Sequence, residues 1–220
     1  MKIILRRLEW LGATVTDPRY FRLRCTFTKL GRLAMLSHLE VAHTLERTVR
    51  RSGLPFAVSE GFSPHMRIAF GSALPVGIGG TCEIFDLLLK EYVSPARALA
   101  ALQEKCVPDM MVTSATYIDH AAKAASVVYP ISTYQAKLSD SAVTFSVPDE
   151  LRVVRKEKEK ILIVNDFLVE DPSLDGNVFT FVLEAKKEGS MRPDLFARAC
   201  FDGQDVCIDL ITRVAQRDKL

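Results

Sequence analysis

Residues 20–53 read YFRLRCTFTKLGRLAMLSHLEVAHTLERTVRRSG, and the fold turns on them. Residues 20–29 alternate. Phe21, Leu23, Cys25 and Phe27 share one face, and Arg22, Arg24, Thr26 and Thr28 share the other, which is the period of a half-buried strand. Gly31 marks the turn after it. Ser37 with Glu40 three positions on forms a capping box, so a helix starts there. Val41, Ala42, Leu45 and Val49 make its apolar stripe; His43, Arg47 and Arg50 lie on a different face, with Arg51 beside them. Gly53 ends the helix and Pro55 forbids its continuation.

Outward from this β-α unit the same rules apply. PFAVS (55–59) predicts a short strand, SEGFSPH a loop, and MRIAFG (66–71) a second strand. SALPVGIGGT breaks the chain, its glycines allowing a bend or bulge before the near-continuous apolar strand CEIFDLLLK. Ser94 caps a helix with Pro95 at its first position, running to Pro108, and MMVTSATYI closes the unit as a strand. The order is β-α-β-β-α-β, the ferredoxin-like plan. HAAKAAS (120–126) reads as a linker. The second half partly repeats the order: a strand in VVYPISTYQAKL, a strand entering a turn in KILIVNDFLV, a strand in NVFTFVLEAK, a short helix opened by Pro193, and a last strand in VCIDLITRVA. SDSAVTFSVPDEL fits a helix by position and extended chain by composition. RVVRKEKEK alternates in sign as a solvated hairpin or strand end does. The expected fold is α+β, two ferredoxin-like halves over residues 20–119 and 126–220, the second with a reduced first helix, behind an N-terminal extension, residues 1–19.

Composition narrows the function class. The chain has 220 residues, 48% hydrophobic and 25% charged, enough to bury a core, and a net charge of +2 that by itself points to no partner. The five cysteines have neither zinc nor iron–sulfur spacing, so they read as free, buried thiols of a reducing cytosol, and neither a metal nor a cofactor is expected. No run of about 20 apolar residues is present to span a bilayer, and MKIILRRLEWLGATV lacks the long apolar core of a signal peptide. A cytoplasmic protein is the expectation.

The loop SEGFSPHMR (59–67) holds more than breakers. Gly61 permits positive φ, Pro64 stiffens the turn, and Phe62 is placed to pin it to the core. Turn geometry does not require His65 or Arg67. His38 sits at the first helical position beside the Ser37 cap, where free N–H groups point outward. If that helix start and this loop share one end of the sheet, Ser37, His38, His65 and Arg67 form a cluster suited to phosphate. Arg22 and Arg24, on the strand face opposite Phe21 and Leu23, join Arg47, Arg50, Arg51 and Arg67 as a basic patch for RNA. In the second half, Ser190 and Arg192 before a helix start form a possible anion nest.

Taken together, LSHLE, ERTVRRSGLPFAVSEGFSPHMRIAFGSALPVGIGGTCE and GSMRP resemble an uncharacterised bacterial radical-SAM-linked family, a domain of unknown function. Its members are often encoded beside, or fused to, a cobalamin-binding radical SAM protein. The resemblance covers most of residues 20–215. Its motif residues here are Ser37, His38, Leu39, Glu40, Arg50, Arg51, Ser59, Gly61, Phe62, Pro64, His65, Pro75, Gly77 and Glu83. Glu40 stands where aspartate is usual, and Ser63 where asparagine is common. The resemblance implies a partner, not a reaction, and without a C-x-x-x-C-x-x-C motif this chain cannot itself hold the radical SAM cluster. Three functions follow as expectations. The first is an accessory or substrate-binding module for a radical SAM enzyme, acting on RNA, a ribosome-linked substrate or another anion. Its site comprises Ser37, His38, Arg50, Arg51, Ser59, Gly61, Phe62, His65, Arg67 and Glu83, with Ser190 and Arg192 secondary. The second is a phosphoryl-transfer or RNA-cleaving enzyme with His38 and His65 as an acid–base pair. The third is a protein–protein adaptor without ligand.

Overall fold

A computed structural model describes residues 19–141, 143–155, 158–186 and 189–219. The expected N-terminal extension lies, but for Arg19, outside the described residues. The protein is mixed α/β. It divides into two compact units, the first of Met1–Val76 with Gly80–Val128, the second of Gly77–Gly79 with Tyr129–Leu220.

The first unit contains strand β1 (Phe21–Lys29), helix α1 (His38–Ser52), β2 (Ile68–Phe70), β3 (Ile78–Leu89), helix α2 (Pro95–Lys105), β4 (Val112–Tyr117) and the short helix α3 (Ala125–Val128). The strands lie in the order β4-β1-β3-β2, every pair antiparallel. The alternation of β1 is realised: Leu23, Cys25 and Phe27 are buried in one core with Phe85 and Leu87 of β3, Leu45 and Val49 of α1, and Ala98 and Leu102 of α2. The capping box forms as read, and Gly53 ends α1 with φ 73°. Two local readings change and one is refined. PFAVS makes only isolated bridges, Phe56 to Leu89 and Val58 to Met66. Gly77 turns the chain before β3 with φ 88°, as read, while Gly79 and Gly80 enter the strand, where the β1–β3 register shifts between Gly80 and Glu83. Pro95 opens α2, but the Ser94 side chain makes no cap hydrogen bond.

The second unit contains β5 (Ile131–Leu138), β6 (Glu150–Arg155), β7 (Lys158–Ile163), β8 (Leu168–Asp175), β9 (Val178–Glu184), helix α4 (Pro193–Cys200) and β10 (Ile208–Arg217). Within this unit the strands lie in the order β10-β5-β9-β8, and β6 and β7 pair as a separate hairpin. Its core is aromatic: Phe179 and Phe181 of β9 meet Phe196 of α4 at 6.5 and 5.1 Å. The reduced first helix expected after β5 is replaced among the described residues by chain without regular secondary structure and the β6–β7 hairpin. In the first part Phe145 packs on Phe179 at 5.0 Å, and the Thr144 backbone bonds the Gln204 side chain, at 3.3 and 2.5 Å, instead of a helical turn. KILIVNDFLV is a strand entering a turn, as read: β7 runs into a 3-10 turn at Val164–Asp166, and β8 begins at Leu168.

All five cysteines are free, but only Cys25 and Cys200 are buried. Burial pushes the Cys25 thiol well up, helped by the Asp86 charge. Burial alone takes Cys200 to about 12. Neither supplies a thiolate nucleophile at neutral pH. No described helix is long and apolar enough to cross a membrane.

Candidate functional site

The expected site residues fall into two groups within the first unit. One lies at the start of α1. A register shift between Phe27 and Lys29 interrupts the β1–β3 ladder, and Lys29 is only 2% exposed. Its Nζ reaches the Pro75 carbonyl at 3.5 Å. Glu83, opposite Phe27 on β3, is also buried, and its carboxylate lies against Gly80, where a Cβ would force it to move. His38 packs edge-on against Phe70, ring centroids 5.4 Å apart. Lys29, His38, Ser72 and Glu83 line a small cleft, about 20 Å³ inside, with Phe27 and Phe70.

Burial, and then the Lys29 charge, push the His38 imidazole below its usual 6.5. It is therefore neutral at pH 7 and offers one N–H donor and one acceptor rather than a cation. Ser37 is engaged too: its hydroxyl donates to Glu40 at 2.7 Å and accepts the Glu40 N–H at 3.4 Å. The anion at this helix start is the protein's own carboxylate.

The second group surrounds the 59–65 loop. Ser59 N–H donates to the His65 carbonyl at 2.7 Å, and His65 N–H donates to the Ser59 hydroxyl at 3.0 Å. These bonds close the loop, and Gly61 turns it with φ 119°. Phe62, expected to pin the loop inward, is wholly exposed at its tip. Arg50, exposed near the end of α1, lies over the Phe56 ring at 5.5 Å, three residues before Ser59. Arg67, two residues after His65, lies over Tyr20 at 5.4 Å. Arg51 is exposed beside Arg50. The loop is thus a closed turn that carries an exposed aromatic and is flanked by cations.

The two groups do not meet. His38 touches Phe70 at one end of β2, whereas His65 precedes the other end by three residues; at ~3.3 Å per extended residue they are on the order of 16 Å apart along the chain direction. From His38 to Arg50 along α1 is a similar span, roughly 18 Å at ~1.5 Å per residue. At that separation His38 and His65 share no substrate position as an acid–base pair.

Arg22 and Arg24 leave the basic patch. Arg22 is 3% exposed, and Asp86, 2% exposed, bridges both guanidiniums, accepting from Arg22 at 2.7 Å and from Arg24 at 2.7 and 2.9 Å. The remaining donors bind carbonyls of the 120–123 segment: Arg22 to His120 and Ala122, and both arginines to Lys123. What the sequence suggested as an open face is covered by its own linker. In the second unit, Arg192 forms a two-bond pair with Asp194, at 3.0 and 2.6 Å, so the expected anion nest near Ser190 already faces a carboxylate. Among the described residues no three metal-ligating side chains gather as a metal ion would need.

The sequence reading missed Lys29 and Ser72. Lys29 had a signal: it shares the parity of Phe21, Leu23, Cys25 and Phe27, so a strand with that register turns a lysine toward the core. Ser72 had none.

The profile of a family described as an uncharacterized protein conserved in bacteria, DUF2344, matches residues 22–193. No curated protein matches the chain.

Proposed function

We propose, from the premise that the chain belongs to this DUF2344 family conserved in bacteria, that it is an accessory module presenting an anionic substrate, RNA foremost, to a radical SAM enzyme. The observation that carries the reading is the closed Ser59–His65 loop, with Phe62 outside and Arg50, Arg51 and Arg67 around it. A wholly exposed phenylalanine leaves apolar area in water that a partner would cover, at about 25 cal/mol per Å². Cations beside it favour an anionic partner. The radical SAM part rests on the resemblance of LSHLE, SEGFSPH and LPVGIGG. The separation of His38 from His65 supports a presenting role over a catalytic one.

We also infer that both units are ferredoxin-like. The orders β4-β1-β3-β2 and β10-β5-β9-β8 are the same order under one renumbering, and the β6–β7 hairpin stands where the first helix of the second unit would be.

Phe62 alone, without the arginines, also suits an adaptor with no ligand. Co-expression with the radical SAM protein, affinity capture and identification of retained nucleic acid separates the two. The accessory reading expects the complex to hold RNA that Arg50→Ala with Arg51→Ala loses. Capture of the enzyme without RNA, unchanged by salt, is the adaptor's result. No capture of the enzyme sinks both.

A further inference from the structure

The loop is not the only exposed aromatic feature of the first unit. Phe21 of β1 meets Tyr92 and Tyr117 edge-on at 5.8 and 6.2 Å, and Tyr92 stacks on Tyr117 at 5.1 Å with planes 28° apart. Tyr117 is the anchor. Its hydroxyl donates to the Val93 carbonyl at 2.7 Å and accepts the Val93 N–H at 3.2 Å, which ties β4 to the turn after β3. On that fixed ring sit two rings left in water, Phe21 at 41% and Tyr92 at 60% exposure.

Cations stand beside them. Phe21 pairs with Leu89, and Phe56 bridges the other side of Leu89. The row across the sheet is therefore Phe21, Leu89, Phe56, with strand spacings of ~4.8 Å placing its ends roughly 10 Å apart. Arg50 lies over Phe56, Arg51 follows it, and Lys90, exposed next to Leu89, donates its amide to the Pro55 carbonyl at 2.7 Å. Glu91 is the opposing carboxylate in this run.

Exposed rings on a rigid base with positive charge about 10 Å away fit one ligand chemistry best. Bases stack on aromatic faces whatever their sequence, while arginine and lysine hold the phosphates between them. A duplex hides those base faces inside its own stack. We propose that Phe21 and Tyr92 form a base-stacking platform for single-stranded RNA, whose backbone runs to Arg50, Arg51 and Lys90. The platform rests on the RNA reading above and adds to it the unpaired state of the strand and two residues outside the 59–67 loop.

The test uses the full chain and a fluorescein-labelled mixed-sequence RNA, single-stranded or annealed to its complement, followed by anisotropy. Wild type is expected to prefer the single strand. Phe21→Ala with Tyr92→Ala is expected to weaken single-strand binding roughly tenfold without changing the slope against salt, because the phosphate contacts remain. Tyr92→Phe keeps the ring and is expected to bind as wild type, which separates stacking from loss of fold. The platform is refuted by a double variant that binds as tightly as wild type, by a Tyr92→Phe loss equal to that of Tyr92→Ala, or by equal losses for single and double strands. Wild type binding no RNA overturns the platform and the RNA reading together. Wild-type binding that survives the aromatic substitutions overturns the platform alone.

Discussion

His38 is held at the mouth of a cleft where burial, and then Lys29, disfavour its charged form. In the unfolded chain the same imidazole titrates near 6.5, so as pH falls below that value the unfolded state takes up the proton more readily and stability drops. Above pH 7 both states are neutral and the contribution to the slope vanishes. Thermal midpoints measured from pH 7.5 to 5 are expected to fall more for wild type than for His38→Gln; parallel curves would contradict a lowered His38. That His38 begins a helix was legible from Ser37 and Glu40, four residues of local sequence. That it is neutral was not, because Phe70 and Lys29 come to it through β2 and β1.

The elements show the same division between local and remote causes. Strand β1 was legible because alternation is a property of consecutive residues. Its second face was not, because alternation says which residues share a face and not what covers it. The cover is the 120–123 segment, about a hundred residues along the chain from Arg22 and Arg24, and a small polar stretch gives no sign that its carbonyls meet two guanidiniums. Asp86 is the keystone of that contact. Asp86→Ala leaves two buried cations without their shared carboxylate, with an expected loss on the order of 3–5 kcal/mol in chemical denaturation. Amide exchange in residues 120–123 is expected to quicken with it. An Asp86→Ala protein as stable as wild type, with unchanged exchange there, would mean that the carbonyls alone hold the arginines.

Over the whole molecule, strand order was easier to read than the pieces between strands. The β-α-β-β-α-β sequence of the first unit appears in the order of its elements, since each strand and helix carries its own period and stop signal. In the second unit the position after β5 argued for a helix, and Phe145, anchored on Phe179, and the β6–β7 hairpin decided otherwise. The candidate site was half legible. The loop 59–67 announced itself by composition, while the aromatic group Phe21, Tyr92 and Tyr117 comes from three places in the chain that only sheet pairing unites. The central claim is that the end of the first unit bearing Arg50, Arg51 and the 59–65 loop holds an anionic strand. A salt titration of single-stranded RNA binding tests it most directly, comparing wild type with Arg50→Ala combined with Arg51→Ala. Each phosphate contact on a single strand contributes about 0.7 to the slope of log K against log salt, so losing two is expected to flatten the slope by about 1.4. A double variant with the wild-type slope and affinity would contradict the account.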